Sequence, residues 1–141
     1  MRRYLTILTI IMIVSFASCK KDILYSNDDS LKLSFSSDTV TFDTVFTTIG
    51  SSTRQLMIYN NNNENLIINS VRLAGGASSQ FSINLDGESG YDFSNVEIYA
   101  QDSLFLFVRV TINPNNDNNP FFVEDQLIFE TNGNKQYVRL T

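Results

Sequence analysis

Apolar side chains occupy every second position in most of the chain after residue 30. Leu31, Leu33 and Phe35 alternate with polar residues, and the stretches 81–85 and 96–100 follow the same rule. A period of two puts alternate side chains on opposite faces of a strand, whereas an amphipathic helix needs apolar residues every three or four positions. No window of twelve residues holds such a helical stripe. The pattern therefore predicts half-buried β-strands.

The stretch 103–112 is apolar on both faces. Leu104, Leu106 and Val108 share one face, and Phe105 and Phe107 lie on the other. Continuous apolar runs are typical of strands that are covered on both sides. We therefore expect a central strand whose first half is covered on both faces.

Turn-forming residues divide the strands. They lie at 49–53, 60–65, 74–80, 87–95 and 113–120, and Asn132-Gly133 separates two alternating runs. Asn-Gly favours a type I′ hairpin, because both central residues need positive φ. Strands recur every 10–15 residues with no helix between them. This spacing predicts one all-β domain over residues 31–141, an antiparallel β-sandwich of seven to nine strands of the immunoglobulin-like type.

The first 18 residues have the three parts of a secretory signal peptide. Arg2 and Arg3 are basic, 4–14 is apolar, and small residues dominate 15–18. The alternative is a membrane-spanning helix. The uncharged stretch 4–18 would span only about 22 Å as a helix, against a hydrocarbon core of about 30 Å. We therefore predict that residues 1–18 are a cleaved signal.

Cys19 directly follows this segment and is the only cysteine, which excludes an intramolecular disulfide. The run Phe16-Ala17-Ser18-Cys19 resembles the bacterial lipobox, although Phe16 replaces the usual Leu. The resemblance implies that the signal is removed and that Cys19 is acylated with palmitate-type chains. Two or three chains suffice for stable membrane anchoring. The polar residues that follow predict a flexible tether, so that 19–30 forms the acylated Cys and tether.

Several classes of function need residues that this chain lacks. The net charge is −5, and no basic stripe is present, so nucleic-acid binding is not expected. The chain has no His, which removes the usual zinc sites and nucleophile–base pairs. A Ser–Lys pair would have to use Lys32 or Lys135, neither of which lies in an S-x-x-K motif. We predict no enzyme activity and no cofactor.

Carboxylates offer two further candidates. The pairs Asp38–Asp43 and Asp86–Glu88 could serve a glycosidase, which needs two carboxylates at a defined separation. Asp86, Glu88 and Asp92 alternate in a Gly-containing loop that could hold calcium, although EF-hand spacing is absent. The alternative for all of them is solvated charge in surface turns.

Glycan binding and glycan attachment have separate signals. Tyr59, Tyr99 and Tyr137 are candidates for stacking on sugars, with ordinary sheet packing as the alternative. Four D-[S/T]-aliphatic motifs resemble the periplasmic O-glycosylation sequon of one group of Gram-negative bacteria, with strand-entry turns as the alternative. Their acceptors are Ser30, Thr39, Thr44 and Ser103.

The stretch "LMIYNNNNENLIINSVRLAGGASSQFSIN" resembles the hydin-type (ASH) immunoglobulin-like pattern, in which a strand ends in Asn before a polar turn and an "L-x-I" strand. Residues 100–140 are similar to its second half, with a long strand closed by Pro and a "D-x-L-x-F-x-T-N" hairpin. The chain also looks like the N-terminal module of surface lipoproteins that continue into a right-handed parallel β-helix. This resemblance implies a piece of a longer protein.

Together these features predict a non-enzymatic lipoprotein of the cell envelope. Lys20 is not the Asp that retains lipoproteins on the inner membrane of enteric bacteria, which favours the outer membrane, on its periplasmic or outer face. The module would act as a spacer or bind a protein, either a neighbouring envelope protein or a C-terminal partner domain. The alternatives are a carbohydrate-binding accessory module and a hydrolase whose active site lies beyond Thr141.

Overall fold

The computed structural model describes residues 23–42, 52–111 and 123–141. These residues form ten strands, seven of them five or more residues long, and one 3-10 turn at Gly76–Ser78. The strands are β1 (Ser34–Phe35), β2 (Thr39–Val40), β3 (Thr53–Asn60), β4 (Leu66–Leu73), β5 (Phe81–Leu85), β6 (Glu88–Gly90), β7 (Asp92–Ile98), β8 (Asp102–Val110), β9 (Asp125–Thr131) and β10 (Asn134–Leu140).

The strands form two sheets of five. Sheet 1 has the order β1-β3-β8-β5-β6, and sheet 2 has the order β2-β10-β9-β4-β7. Neighbours are antiparallel except β2, which runs parallel to β10. The order β10-β9-β4 corresponds to the G-F-C sheet of an immunoglobulin domain, and β1-β3-β8 to its A-B-E strands. The predicted all-β, immunoglobulin-like sandwich is confirmed, with three short strands added to seven long ones.

The core lies between the two sheets and follows from the alternation. Every second residue is buried along β5, from Leu56 onward in β3 and from Leu106 onward in β8, and these side chains meet those of β4, β9 and β10. Phe35 of sheet 1 contacts Phe129 of sheet 2, with ring centroids 4.6 Å apart. Burying each such side chain contributes about 2 kcal/mol. The fully buried large residues are Phe81, Phe129, Leu56, Ile58, Leu66, Ile68, Leu73, Ile83, Ile98, Leu106, Leu127 and Leu140.

The hairpin predicted at Asn132-Gly133 is confirmed. Both residues have positive φ, 49° and 78°, and Thr131 pairs with Asn134 across the two-residue connection. A second hairpin joins β5 to β6 through Asp86 and Gly87, whose φ angles are 49° and 96°. Glycine reaches such values without strain, which explains its place in both turns.

Residues 23–33, here called the N-terminal strap, lie along sheet 2 and are held by side-chain amides. Tyr25 forms a parallel bridge with Asn65. Asn132 and Asn134 donate to the carbonyls of Asp28 and Asp29 at 2.8 and 2.6 Å. Part of the predicted tether is therefore fixed to the sandwich, because these amides donate hydrogen bonds to its backbone carbonyls. Cys19 lies outside the described residues, and the predicted divisions at residues 18, 19 and 30 stay predictions.

Candidate functional site

Two phenylalanines lie uncovered on the outer face of sheet 1. Phe105 and Phe107 are 47% and 39% exposed on β8, the central strand of that sheet. Their ring centroids are 6.4 Å apart and their planes differ by 13°. The prediction that β8 is central is confirmed. The prediction that its first half is covered on both faces is wrong, because no described element packs over these rings.

Three uncharged residues lie beside the two rings on the neighbouring strands. Met57 and Gln55 pair with Phe105 and Phe107 across β3, and Asn84 of β5 lies opposite Phe107 on the other side. The Gln55 side-chain amide reaches the Met57 sulfur at 3.2 Å. These five residues are called the aromatic face. Large exposed rings are typical of surfaces that bind a partner. Two charged residues adjoin the face: Arg109 follows Phe107 by two positions on β8, and Asp86 donates its backbone N–H to the Phe105 carbonyl.

The outer face of sheet 2 carries charged side chains, unlike the aromatic face of sheet 1. Glu130 lies 3.2 Å from Lys135 and 3.9 Å from Arg72. Tyr137 lies opposite Ile128, which is only 9% exposed. Alternating charges of both signs are typical of a solvated sheet face. The asymmetry between the two sheets singles out the aromatic face as the candidate binding surface.

A cleft of about 550 Å³ opens at one end of the sandwich. Its walls include Ile23, Leu24 and Tyr25 of the strap, and Glu64 and Tyr99 from two turns. Ile23 and Leu24 are 54% and 80% exposed. The Glu97 carboxylate accepts a hydrogen bond from the Tyr25 hydroxyl and raises the pKa of that phenol, with a smaller contribution from desolvation. This end, formed by residues 23–26, 60–65 and 99–101, is called the N-terminal pole.

A buried amide organises the N-terminal pole. Asn60 ends β3 and is fully buried, and its Nδ2 donates to the carbonyls of Glu64, Tyr99 and Ile98 at 2.8, 3.0 and 3.3 Å. Its Oδ1 accepts from the backbone and side-chain nitrogens of Asn62. One side chain thus joins the β3–β4 turn to the β7–β8 turn. Asn60 is the Asn that ends a strand in the hydin-type sequence pattern, and its role here is structural.

Asn65 connects the strap to the same pole. Its Oδ1 accepts from the backbone N–H of Ala100 at 2.9 Å, and its Nδ2 donates to the carbonyl of Leu24 at 3.0 Å. Its backbone carbonyl accepts from Ser26 N at 2.9 Å. These bonds place Leu24 at the rim of the cleft.

The candidate acceptors for O-glycosylation differ in exposure. Ser30 is exposed in a turn, where its backbone N–H donates to Asp28 at 2.8 Å. The Ser30 hydroxyl, and to a smaller extent this backbone hydrogen bond, lower the pKa of Asp28. Thr39 and Ser103 are half-buried in paired strands. Thr44 lies outside the described residues, as does Cys19.

The acidic and tyrosine candidates are also placed. Asp86, Glu88 and Asp92 are exposed around β6, and the described ranges contain no group of three or more His, Cys, Asp or Glu that converges on one point. Asp38 is exposed, and its proposed pair Asp43 is outside the described residues. The tyrosines do not share a surface: Tyr59 is half-buried on sheet 1, Tyr99 lies at the N-terminal pole, and Tyr137 is on sheet 2.

The two lysines considered for a Ser–Lys pair lie apart from each other in the chain. Lys32 is an exposed residue of the N-terminal strap, and Lys135 forms an ion pair with Glu130. Within residues 23–42, 52–111 and 123–141, the structure has no helix with the length and apolar character needed to cross a membrane.

Comparison with solved structures gives distant likenesses. No protein-family model matches the sequence, and no curated protein matches it. A solved structure that is similar is the ASH/PapD-like domain of human CEP192 (PapD-like domain 7), with a TM-score of 0.47 and 10% identity over 89% of this chain and 92% of that one. A likeness this distant carries no functional argument, so the fold assignment rests on the strand order itself.

The aromatic face was not predicted as a site, although the sequence carried a signal for it. Ser103 and Arg109 share the face of β8 on which Phe105 and Phe107 lie. Polar residues at both ends of that face indicate contact with solvent along the strand. Reading all four positions together would have predicted exposed rings.

Proposed function

We propose that this chain is a non-enzymatic lipoprotein of the cell envelope whose sandwich binds a protein partner through the aromatic face. The observation that carries the proposal is the exposed pair Phe105–Phe107 at the centre of sheet 1. Interface cores are enriched in aromatic residues and Met and depleted of charge, and the aromatic face has that composition.

The envelope location is supported by the sequence. The apolar segment, the small residues before Cys19 and the unique position of that cysteine match a lipoprotein signal. Acylated Cys19 would hold the sandwich at the bacterial outer membrane, on its periplasmic or outer face. The partner is a neighbouring envelope protein or a domain that follows in a longer protein, such as the parallel β-helix that the sequence resemblance implies.

Site-specific cross-linking tests the protein-binding role. A photoreactive phenylalanine analogue replaces Phe107 in the full chain, which is expressed in its native host and irradiated in intact cells. We expect one dominant adduct, whose protein partner is identified by mass spectrometry. The matched control places the same analogue at Tyr137, which is 50% exposed on the charged face of sheet 2.

Two results separate specific binding from chance contact. Competition with Phe105→Thr/Phe107→Thr protein should not reduce the adduct, whereas competition with the unmodified chain should. Equal adducts at positions 107 and 137, or no adduct at 107, would contradict the proposal.

A carbohydrate-binding module is the second candidate, and the same face supports it. Two nearly parallel exposed rings flanked by the amides of Gln55 and Asn84 offer stacking surfaces and hydrogen-bonding groups for a sugar chain. A soluble chain that begins at residue 20 would be applied to a glycan array. Binding that is lost in Phe105→Thr/Phe107→Thr but kept in Tyr137→Thr would favour this candidate over protein binding.

A further inference from the structure

The N-terminal pole exposes apolar side chains beside the predicted anchor. Ile23 and Leu24 are 54% and 80% exposed, and Tyr99 is 44% exposed beside them. Consecutive aliphatic residues with this much exposure are uncommon on a free sandwich end, where turns carry polar residues. Their position in the chain, four residues after Cys19, indicates what covers them.

Chain geometry keeps this pole close to an anchored Cys19. Four residue steps separate Cys19 from Ile23, and a fully extended chain spans at most about 14 Å over that length. From Leu24 onward the strap is bonded to the sandwich through Asn65, Asn132 and Asn134. The sandwich cannot move further from the membrane by unrolling the strap without breaking these bonds.

We infer that the N-terminal pole rests on the phospholipid surface and inserts Ile23, Leu24 and Tyr99 at the level of the headgroups. The inference rests on the proposed lipid anchor. Aliphatic residues with a neighbouring aromatic ring suit this interfacial region, where rings of Tyr and Trp are enriched. Residues 23–26, 60–65 and 99–101 include no Lys or Arg, and Glu64 lies at the rim of the cleft. The residues of the pole therefore offer no attraction to anionic lipids, and their contact is apolar.

In this orientation the N-terminal pole can contact the membrane while the aromatic face binds a protein. β4 runs from the N-terminal pole to the opposite end, and its eight residues span about 26 Å at about 3.3 Å per residue. With the pole on the membrane, the strands point away from it and the aromatic face of sheet 1 looks sideways. A neighbouring envelope protein can then approach that face along the membrane.

A single-tryptophan experiment tests the contact, because the chain contains no tryptophan. The full-length Leu24→Trp protein is acylated in a bacterial host and reconstituted in vesicles of phosphatidylethanolamine and phosphatidylglycerol. Some of these vesicles carry lipids brominated near the top of the acyl chain. Residues at the acyl boundary lie within reach of the bromines, so we expect the fluorescence to fall by about half. The loss should be the same at low and high salt, because apolar contact is not screened.

The matched control is Ala77→Trp, which replaces an exposed residue in the 3-10 turn at the opposite pole. It carries the same anchor, and its fluorescence should not change with brominated lipid. Near-equal quenching of both variants, or none in Leu24→Trp, would overturn the inference. A blue shift of Leu24→Trp emission that depends on protein concentration and not on bromine would place a second copy on the pole and also overturn it.

Vesicle flotation separates this inference from the proposed function. Flotation of acylated Leu24→Trp without quenching would leave the anchor intact and reject only the contact. If the protein with Cys19 fails to float, the anchor is wrong and the inference falls with it. Soluble Cys19→Ala/Leu24→Trp gives the baseline, since an apolar contact of three side chains should not hold the sandwich on vesicles alone.

Discussion

The side chain of Gln136 pairs with both backbone groups of Leu33. Leu33 N–H donates to Gln136 Oε1 at 3.0 Å, and Gln136 Nε2 donates to the Leu33 carbonyl at 2.9 Å. The Gln136 side-chain amide on β10 thus makes the two backbone hydrogen bonds that a neighbouring strand would otherwise make with Leu33, at the end of the N-terminal strap. It fixes Leu33, which is 3% exposed, in the core.

Loss of this amide should loosen the strap. We expect Gln136→Ala to lower the free energy of unfolding by about 1–3 kcal/mol, because two hydrogen bonds of about 0.5–1.5 kcal/mol each are lost. The Leu33 amide should also exchange its hydrogen at least about tenfold faster, since its acceptor is gone. Urea unfolding and hydrogen exchange measure the two effects.

The neighbouring Lys135→Ala provides the control for the Gln136 experiment. Its exposed ion pair with Glu130 contributes about 0–1 kcal/mol. Unchanged exchange at Leu33 in Gln136→Ala, or an equal effect in Lys135→Ala, would show that the paired amide does not hold the strap.

Asn60 should be the polar residue most sensitive to substitution. Its buried Nδ2 donates to three carbonyls, and Asn60→Leu would leave these acceptors without that donor at a cost of about 2–4 kcal/mol. Asn63→Ala, at an exposed position in the same turn, should change stability by less than about 0.5 kcal/mol. Thermal or urea unfolding of the two variants compares them directly.

Asn60→Asp adds a dependence on pH. A buried carboxyl that faces carbonyl oxygens favours its neutral form, so its pKa in the folded state is raised above the unfolded value of about 3.9. The stability of this variant relative to the original chain should therefore be greatest below that pH and fall as the pH rises. A stability profile parallel to that of the original chain would contradict the buried-amide account.

The two faces of β8 should respond differently to mutation. Phe107→Thr keeps a strand-forming residue and removes a half-exposed ring, so it should cost about 1 kcal/mol. Leu106→Ala, on the adjacent residue that is fully buried, should cost about 2–5 kcal/mol. Urea unfolding of both variants measures the difference. A Phe107→Thr cost as large as that of Leu106→Ala would mean that another part of the protein covers the ring.

The Tyr25 hydroxyl should lose its proton at a higher pH than that of an ordinary tyrosine. Glu97 accepts a hydrogen bond from its hydroxyl and raises its pKa in the folded state. The neutral phenol is therefore favoured by folding. Its contribution to stability is complete below the unfolded pKa of about 10 and is lost as the pH rises above that value.

Titration of tyrosinate absorbance checks this assignment. The difference between the original chain and Tyr25→Phe isolates the Tyr25 transition, and Glu97→Gln should move that transition to lower pH. Glu64→Gln, at the same pole, should not. A transition that Glu97→Gln leaves in place would contradict the assignment of Glu97 as the hydrogen-bond acceptor.

The alternation of residues predicted much of the fold, because a buried core demands period two on each strand. The alternating run 81–85 is confirmed, because Phe81, Ile83 and Leu85 all lie in the core. The hairpin at Asn132-Gly133 followed from the φ angles that its turn requires. Strands β1 and β2 lie at alternating positions of the sequence, as expected. The turn predicted over residues 87–95 is wrong, because β6 and the first four residues of β7 lie there. Three residues such as those of β6 are too few to show a period.

The binding surfaces could be predicted only in part. The strap was read as flexible because its polar residues have no periodicity, and the amides of Asn132, Asn134 and Gln136 that hold it come from the other end of the chain. The signal for exposure of Phe105 and Phe107 was weak, because it consisted only of the polar residues Ser103 and Arg109 on the same face of β8. Strand periodicity separates the two faces but does not say which of them another element covers. Cys19, in contrast, was assigned from local sequence alone.

Acylation of Cys19 is the central claim, and labelling of the full-length chain tests it most directly. The original chain and Cys19→Ala are expressed in a Gram-negative host with radioactive palmitate, and their membrane fractions are separated. We predict that the original chain carries the label and sediments with membranes, and that Cys19→Ala does neither. A Cys19→Ala chain that still incorporates palmitate and stays membrane-bound would contradict the account.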